Sequence, residues 1–383
     1  MKHILILPSW FPTRVTPLAG DFIERHAIAI SRYHKVTVLF TVKDVTAKKA
    51  EWAELKFNNN FTAWIYYYPG LNIPFVKKVA AARQRFSILK QKFEELFTKK
   101  MPDLVHVHVA YPAGLFALYL KKTKKLNYVL SEQNGMYMPQ YDHFHKPGYF
   151  ERKATKMIFA NAIAVHAVSK ALAGALINLK LVTSQPVVIP NVVDTDWFNY
   201  TAQNKNGLVH FIHVSTLTNQ KNPDGMLKAL AMVKEKRSDF TLTVIGPVTK
   251  QLRLLTKKLG LNDHVKYAGE ATYQGVANGI KKSDAMLFFT RYETFGCVIA
   301  ESLCCGVPVI VSDLDVTREN ITDLHNGVLV QPGNEKDFAG KILAFMNGDY
   351  SFNPVQIAEE AKDKFNYARV GKMFDEWYNS LLP

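Results

Sequence analysis

Short runs of apolar residues alternate along the whole chain with longer stretches in which apolar positions recur every three or four residues. That alternation predicts βαβ units and parallel sheets. In the first half, strands are expected at Ile4–Leu7, Val36–Phe40, Phe61–Tyr66, Leu104–Val107, Tyr128–Leu130, Ile163–Val168 and Val187–Ile189. Helices are expected at 20–33, 76–98, 112–121, 149–161 and 169–179. The second half predicts strands Val209–Val214, Thr241–Ile245, Val265–Tyr267, Ala285–Phe289, Val307–Val311 and Gly327–Val330. Its helices fall near 221–236, 249–259, 272–280, 296–304, 335–346 and 354–364, with a terminal helix near 367–381. The polar, non-periodic stretch between Asn199 and Gly207 separates the halves. The expected architecture is α/β, with two doubly wound domains (1–203 and 204–365) facing across a cleft. A terminal helix, 366–383, is placed so that it can cross back to the first domain. Ligands of such sheets bind at the carboxyl ends of the strands, so the cleft is the expected site.

The segment Thr290 to Ile310 carries the most chemistry. Glu293 and Glu301 stand eight positions apart, Phe295-Gly296 opens an apolar run, and Gly306-Val307-Pro308 leads into the next strand. Strand, tight loop and helix place one acid in the loop and backbone amides at a helix start. The second acid lies over a turn deeper in the helix. The amides of Phe295, Gly296 and Cys297 would face an anion or a sugar, where the helix dipole favours negative charge. Glu301 is placed to take ribose hydroxyls, as acids do in dinucleotide sites. The plainer alternative is a helix-start acid beside an unrelated surface glutamate; the following Gly306-Val307-Pro308 weighs against it.

Other strand ends contribute further candidates. Lys221 follows the strand ending at Val214 and can pair a diphosphate as a point charge, although an ordinary surface lysine fits the same pattern. Gly20 opens the first helix, where a bare backbone can approach phosphate; a helix-start turn explains it equally, and it is not part of a GxGxxG fingerprint. His106 and His108 in Asp103–His108 are read as facing opposite sides of their strand, with His108 the better site candidate and His106 a core histidine. Gln133 and Asn134 can hydrogen-bond sugar hydroxyls but cannot act as general bases. Two Asp-x-Asp triplets, Asp194/Asp196 and Asp313/Asp315, could hold a metal diphosphate; turn and cap roles are favoured.

Composition changes the picture mainly through charge. The 383 residues carry a net charge of +15, with 48 % hydrophobic residues, ordinary for a soluble globular protein. Before residue 200 there are 27 Lys/Arg against 13 Asp/Glu; afterwards the two signs nearly balance. Lys77, Lys78, Arg83, Arg85, Lys90, Lys92, Lys99, Lys100 and the group Lys121, Lys122, Lys124, Lys125 carry much of the excess. A solvated surface explains this; attraction to an anionic lipid surface is the sharper reading. No evident motif reads nucleic acid. Cys297, Cys304 and Cys305 have no metal-type spacing and fit a reducing compartment. The N-terminus reads as a buried strand rather than a secretory signal, and no apolar run is long enough to span a bilayer.

Together these residues resemble the retaining glycosyltransferases of family 4, which have the GT-B fold of two Rossmann-like domains. The resemblance runs along nearly the whole chain. It is carried by Pro8-Ser9-Trp10 with Gly20, Asp103–His108, Ser169, Ile189-Pro190-Asn191 with Asp194, and Lys221. It continues through Tyr267-Ala268-Gly269, Ser283-Asp284-Ala285, Glu293 with Glu301, Gly306-Val307-Pro308, and Asn326-Gly327. It implies a nucleoside diphosphate sugar held by the second domain, an acceptor on the first, retention of configuration and no required metal or cofactor. By it, Glu293 would hold donor-sugar hydroxyls, and Phe295, Gly296 and Cys297 would offer amides to that sugar. Val298 would offer an amide to phosphate, Glu301 would bind ribose, and Lys221 with Gly20 would attend the leaving diphosphate. Two positions depart from the family. Thr216 replaces an arginine that shares the diphosphate, with Arg291 and Arg318 as possible substitutes, and Gln133 replaces a histidine that contacts the donor sugar.

The expected activity is transfer of a hexose-type sugar to a glycan or lipid-linked hydroxyl in surface polysaccharide or glycoconjugate synthesis. The expected location is cytoplasmic, peripheral at the inner face of the membrane. The competing readings are a GT-B protein with weak or altered catalysis, a metal-dependent Asp-x-Asp transferase and a basic nucleic-acid-binding protein.

Overall fold

A computed structural model describes residues 1–69, 76–141, 144, 146–202 and 207–382, the side chains of 76–82 excepted. The expected junction near residue 203 and the side chains of Lys77 and Lys78 lie outside the described residues. The first sheet has the order β3-β4-β2-β1-β5-β6-β7-β8. In chain order its strands are β1 (His3–Pro8), β2 (Lys35–Asp44), β3 (Glu51–Asn58), β4 (Phe61–Pro69), β5 (Leu104–His108), β6 (Tyr128–Glu132), β7 (Val165–Ala167) and β8 (Val187–Val188). The second sheet runs β11-β10-β9-β12-β13-β14. Its strands are β9 (Val209–Val214), β10 (Phe240–Ile245), β11 (Val265–Gly269), β12 (Ala285–Phe288), β13 (Val309–Ser312) and β14 (Gly327–Val330). Every pairing is parallel except β3 with β4. The sequence pattern did not predict β3: it is an edge strand with mixed, half-exposed positions, so no clean alternation marks it.

Both sheets reverse direction of winding at an inner strand. In the first sheet β1 sits between β2 and β5; in the second, β9 sits between β10 and β12. Such switch points open a crevice at the carboxyl ends of the strands. The loops after β1, β9 and β12 carry Gly20, Lys221 and Glu293 respectively, so strand order brings Lys221 and Glu293 side by side although 72 residues separate them.

The terminal helix Tyr367–Leu381 returns to the first domain. Val370, Phe374, Trp377 and Tyr378 are buried with Ile23, Ala27 and Ile30 of helix Asp21–Ser31. At Gly371 the backbones approach so closely that a Cβ would stand 2.4 Å from the Ala29 carbonyl oxygen. The other face of the first sheet is covered by helices that include Val76–Leu96, Gly114–Lys124 and Tyr149–Asn161. Their buried Phe93, Phe116 and Ile158 share a cluster with Phe288 and Ile299 of the second domain.

Candidate active site

Lys221 closes a short 3-10 turn, Asn219–Lys221, and Asn222 then adopts a left-handed conformation before Pro223 starts the next helix. This bend directs the lysine toward β12. Its Nζ pairs with Glu293 Oε1 and lies 5.1 Å from the centre of the Phe288 ring. The Thr290 hydroxyl donates to Glu293 Oε1 (3.2 Å) and is also near the carbonyls of Gln220 and Tyr292. Gln220 Nε2 donates to the Tyr292 carbonyl at 2.9 Å, and Arg291 N to the Gln220 carbonyl at 2.8 Å. Two loops from neighbouring strands are thereby laced together with a cation and an anion at their meeting point.

Gly296 has φ +78° and precedes helix Cys297–Cys304 without any side-chain cap. A Cβ there would meet Ile299 Cδ1 at 2.8 Å, so the glycine answers both a strained φ and a close approach. The first amides of a helix have no intrahelical acceptor, which leaves this turn suited to oxygen ligands. Phe295 is buried against Phe365. The Cys297 sulfur accepts from Asn191 Nδ2 at 3.3 Å, and burial pushes its thiol up to about 12. Val298 is half-buried in the same first turn.

Glu301 departs from its expected place as an available ribose ligand. It is buried, and its Oε1 accepts from Arg25 Nη1 at 2.9 Å and from the Tyr273 hydroxyl at 3.2 Å. Arg25 also meets Asp21 at 3.0 Å. Burial pushes the Glu301 carboxyl up, opposed by the Arg25 charge. This contact joins the two domains. Sequence reading missed Arg25: nothing local links residues 276 positions apart. Gly20, on the same helix start, has φ +76°, and a Cβ would fall 2.7 Å from the Trp10 carbonyl. That packing requirement accounts for the glycine by itself.

The first-domain candidates are arranged differently from the expectation. His106 and His108 share one face of β5, with ring centres 4.1 Å apart. Residues two apart in a strand point the same way, so the opposite-face reading is corrected. Both are fully buried. His106 is held by Tyr378 and Ser131, each at 2.6 Å, and Ser131 passes the chain to His166, also at 2.6 Å. His108 lies inside this cluster rather than on the cleft surface, and among the described residues neither ring nitrogen has a partner. Burial pushes all of these rings down, His26 to about 3 and His166 to about 4. They are neutral at pH 7. Gln133 is buried, with Nε2 3.4 Å from His26 Nδ1. Asn134 caps the turn Gly135–Tyr137 through Met136 N at 3.0 Å. The residue beside them, Glu132, accepts from the amides of Ala110, Gln133 and Asn134. It shapes the loop that carries both candidates, and sequence reading did not single it out.

Between the domains, a cavity of about 450 Å³ is lined by Glu293 and Tyr292 on one side and by Met138, Gln140 and Lys170 on the other. The Glu319 carboxylate spans its edge and accepts from the amides of Lys170 and Ala171, each at 2.8 Å.

Two family models match in tandem. One described as "Glycosyltransferase Family 4" covers residues 24–197, and one described as "Glycosyl transferases group 1" covers residues 199–364. The chain is a family 4-like glycosyltransferase of GT-B fold. It is similar to an uncharacterized glycosyltransferase of Methanocaldococcus jannaschii, at 25 % identity over 80 % of this chain and 84 % of that one. A phosphatidyl-myo-inositol mannosyltransferase of Mycobacterium leprae is 29 % identical over 42 % of this chain and 44 % of its own, less than half its length. Among solved structures, sucrose-phosphate synthase from Thermosynechococcus elongatus superposes with TM-score 0.80 at 16 % identity, covering 100 % of this chain and 99 % of that one. Anabaena HepE, solved with UDP and glucose, gives 0.74 at 16 % identity over 99 % and 100 %.

In this glycosyltransferase, Thr216 is exposed and brings no cation. Neither arginine considered as its substitute is uncommitted. Arg291 donates to the Asn219 carbonyl (3.2 Å) and to Asn222 Oδ1 (2.8 Å), which fixes the turn bearing Lys221. Arg318 is tied to Asp313 at 2.5 and 2.7 Å. Asp194 accepts from Asp196 N at 3.1 Å in a turn, and Asp315 opens the short helix Asp315–Arg318.

Proposed function

We propose that the enzyme moves a hexose-type sugar from a nucleoside diphosphate sugar to a hydroxyl of a glycan or lipid-linked acceptor, with retention of configuration and without a required metal. The observation that carries this reading is the Lys221–Glu293 pair, set at the switch point of the second sheet, whose carboxylate member lines the interdomain cavity. The ammonium would turn from the carboxylate toward the departing diphosphate and stabilise its growing charge. Glu293, held by Thr290, would accept hydrogen bonds from the sugar hydroxyls. The helix-start amides at Gly296 to Val298 would face the same anion. As the glycosidic C–O bond to the diphosphate breaks, the acceptor oxygen bonds to the same carbon. Its proton passes to a phosphate oxygen of the leaving group. The same-face course follows from likeness to family 4. Metal independence is supported by Lys221 as a built-in cation and by the turn and ion-pair roles of both Asp-x-Asp triplets. A role in surface glycan synthesis is supported by relatives such as the lipopolysaccharide outer core galactosyltransferase WaaB, an 18 % identical structure with TM-score 0.70. No helix among the described residues is long and apolar enough to cross a membrane. Peripheral attachment at the inner membrane face is the corresponding location.

The test is a thermal-shift screen of nucleotides and nucleotide sugars, followed by a transfer assay with and without chelator. A true donor at 100 times its dissociation constant stabilises by about 2.7 kcal/mol. Absence of any nucleotide-dependent shift, or a shift unchanged in Lys221→Ala, defeats the reading. Loss of transfer with chelator defeats metal independence. The committed state of Arg291 and Arg318 favours a second reading, in which donor binds but turns over slowly; a normal shift with no transfer is its signature.

A further inference from the structure

The basic residues that stand out in the sequence are partly internal to the fold. Lys92 is buried between Trp52 and Trp64 and pairs with Glu95; Lys124 pairs with Glu94; Lys121 donates to the Asn161 carbonyl at 2.6 Å. A different element presents cations and bare aromatics together. Helix Tyr149–Asn161 buries Thr155, Ile158 and Phe159. Its outward stripe is Tyr149, Lys153, Lys156 and Met157, at helical spacing, with Phe150 alongside. Phe150 is 84 % exposed, Tyr149 64 % and Met157 47 %. Lys153 and Lys156 are exposed among them, and the one acid of the helix, Glu151, is half-buried. An outer concavity of about 560 Å³ runs along this stripe, from Phe144 to Ala160.

The topology places this stripe beside the active site. The helix connects β6 to β7, which are parallel neighbours, so it runs back against them and begins at their carboxyl edge. The preceding segment lines the interdomain cavity with Met138 and Gln140, and the Tyr141 ring packs at a tilt against Tyr292, with centres 4.8 Å apart, one residue from Glu293. We propose that helix Tyr149–Asn161 is the surface by which the first domain rests on an anionic lipid leaflet. Tyr149 and Phe150 enter the headgroup layer, and Lys153 and Lys156 lie over the lipid charge. Aromatic rings with mixed polarity favour that layer, and cations on an amphipathic helix are drawn to anionic lipid. An acceptor carried on a lipid would then reach Glu293 past residues 138–141. This placement rests on the glycosyltransferase reading for its purpose, but its surface chemistry stands without it.

The test uses the full chain and vesicles of phosphatidylcholine with or without 30 % phosphatidylglycerol, in a flotation assay without donor. The intact protein is expected to float with the anionic vesicles only. Lys153→Glu with Lys156→Glu should weaken partition about fivefold per unit of charge changed at low salt. That difference should vanish near 1 M salt, where the screening length is ~3 Å. Tyr149→Ser with Phe150→Ser should weaken it about tenfold or more at any salt. Lys99→Glu with Lys100→Glu, exposed elsewhere on the domain, should leave partition within about twofold. Equal loss in the Lys99/Lys100 variant, full binding in the aromatic variant, binding to neutral vesicles, or no vesicle binding by the intact chain each overturns the proposal. The nucleotide-sugar thermal shift, measured on the same proteins, reports separately on the activity reading and should be unchanged in all three variants.

Discussion

The two glutamates of one motif sit in two different ion pairs. Glu293 meets Lys221 from a neighbouring loop of its own domain, while Glu301 meets Arg25 from the opposite domain. Both pairs are largely removed from water, and both oppose an acid to a cation. Their chemistry nevertheless differs. The first is laced by hydrogen bonds into a rigid corner that borders a cavity, so it can exchange its internal partner for a substrate. The second is enclosed with Tyr273 and Asp21, and it links one domain to the other. A loop and the helix that follows it thus carry two acids eight positions apart without giving them one job.

The sharpest way to break this contrast is Arg25→Ala. It leaves Glu301 buried without its cation, and loss of one member of such a pair costs about 3–5 kcal/mol. Thermal or urea unfolding should show it; an unchanged midpoint would mean that Arg25 does not tie the domains. The next effect is on chemistry. Lys221→Ala and Glu293→Ala should each lower transfer about 100- to 1000-fold, with the circular-dichroism spectrum retained. Near-normal turnover in both variants would remove the catalytic half of the contrast.

A third effect lies in pH. His26 and His166 are held neutral down to about 3 and about 4, against about 6.5 in the unfolded chain. The unfolded state therefore binds more protons between those limits. Stability is whole above about pH 6.5 and falls as pH drops toward 4, by about 1.4 kcal/mol per pH unit for each histidine that stays neutral. Urea midpoints measured from pH 7.5 to 5 check the sign; a midpoint rising on acidification contradicts it. The smallest effect concerns Arg291, which holds the Lys221 turn without touching the pair. Arg291→Ala should reduce transfer by no more than about 30-fold, in keeping with the loss of one or two hydrogen bonds of ~1 kcal/mol each, and Arg291→Lys should restore part of it.

Much of the fold was legible because buried parallel strands announce themselves as apolar runs between helical periods. Strand β3 escaped because an edge strand with one solvated face has no such run. The second-domain wall was legible for a related reason: Glu293, Gly296 and the start of helix Cys297–Cys304 are set by local spacing. Arg25 was not, since its partner is fixed only by the docking of two domains. At His106 and His108 the period of the strand was misapplied, and a buried cluster was split between two faces. The outward stripe at 149–157 was hidden because aromatics in a helical pattern read as core. Only solvent exposure distinguishes Phe150 from Phe159.

The terminal helix sets a schedule for synthesis. Helix Asp21–Ser31 leaves the ribosome well before residues 370–378, yet it buries its face against them. Until those residues emerge, that side of the first sheet, including the histidines beneath Phe374 and Tyr378, stays open to water and to chaperones. The first domain therefore cannot finish folding before the second has been made.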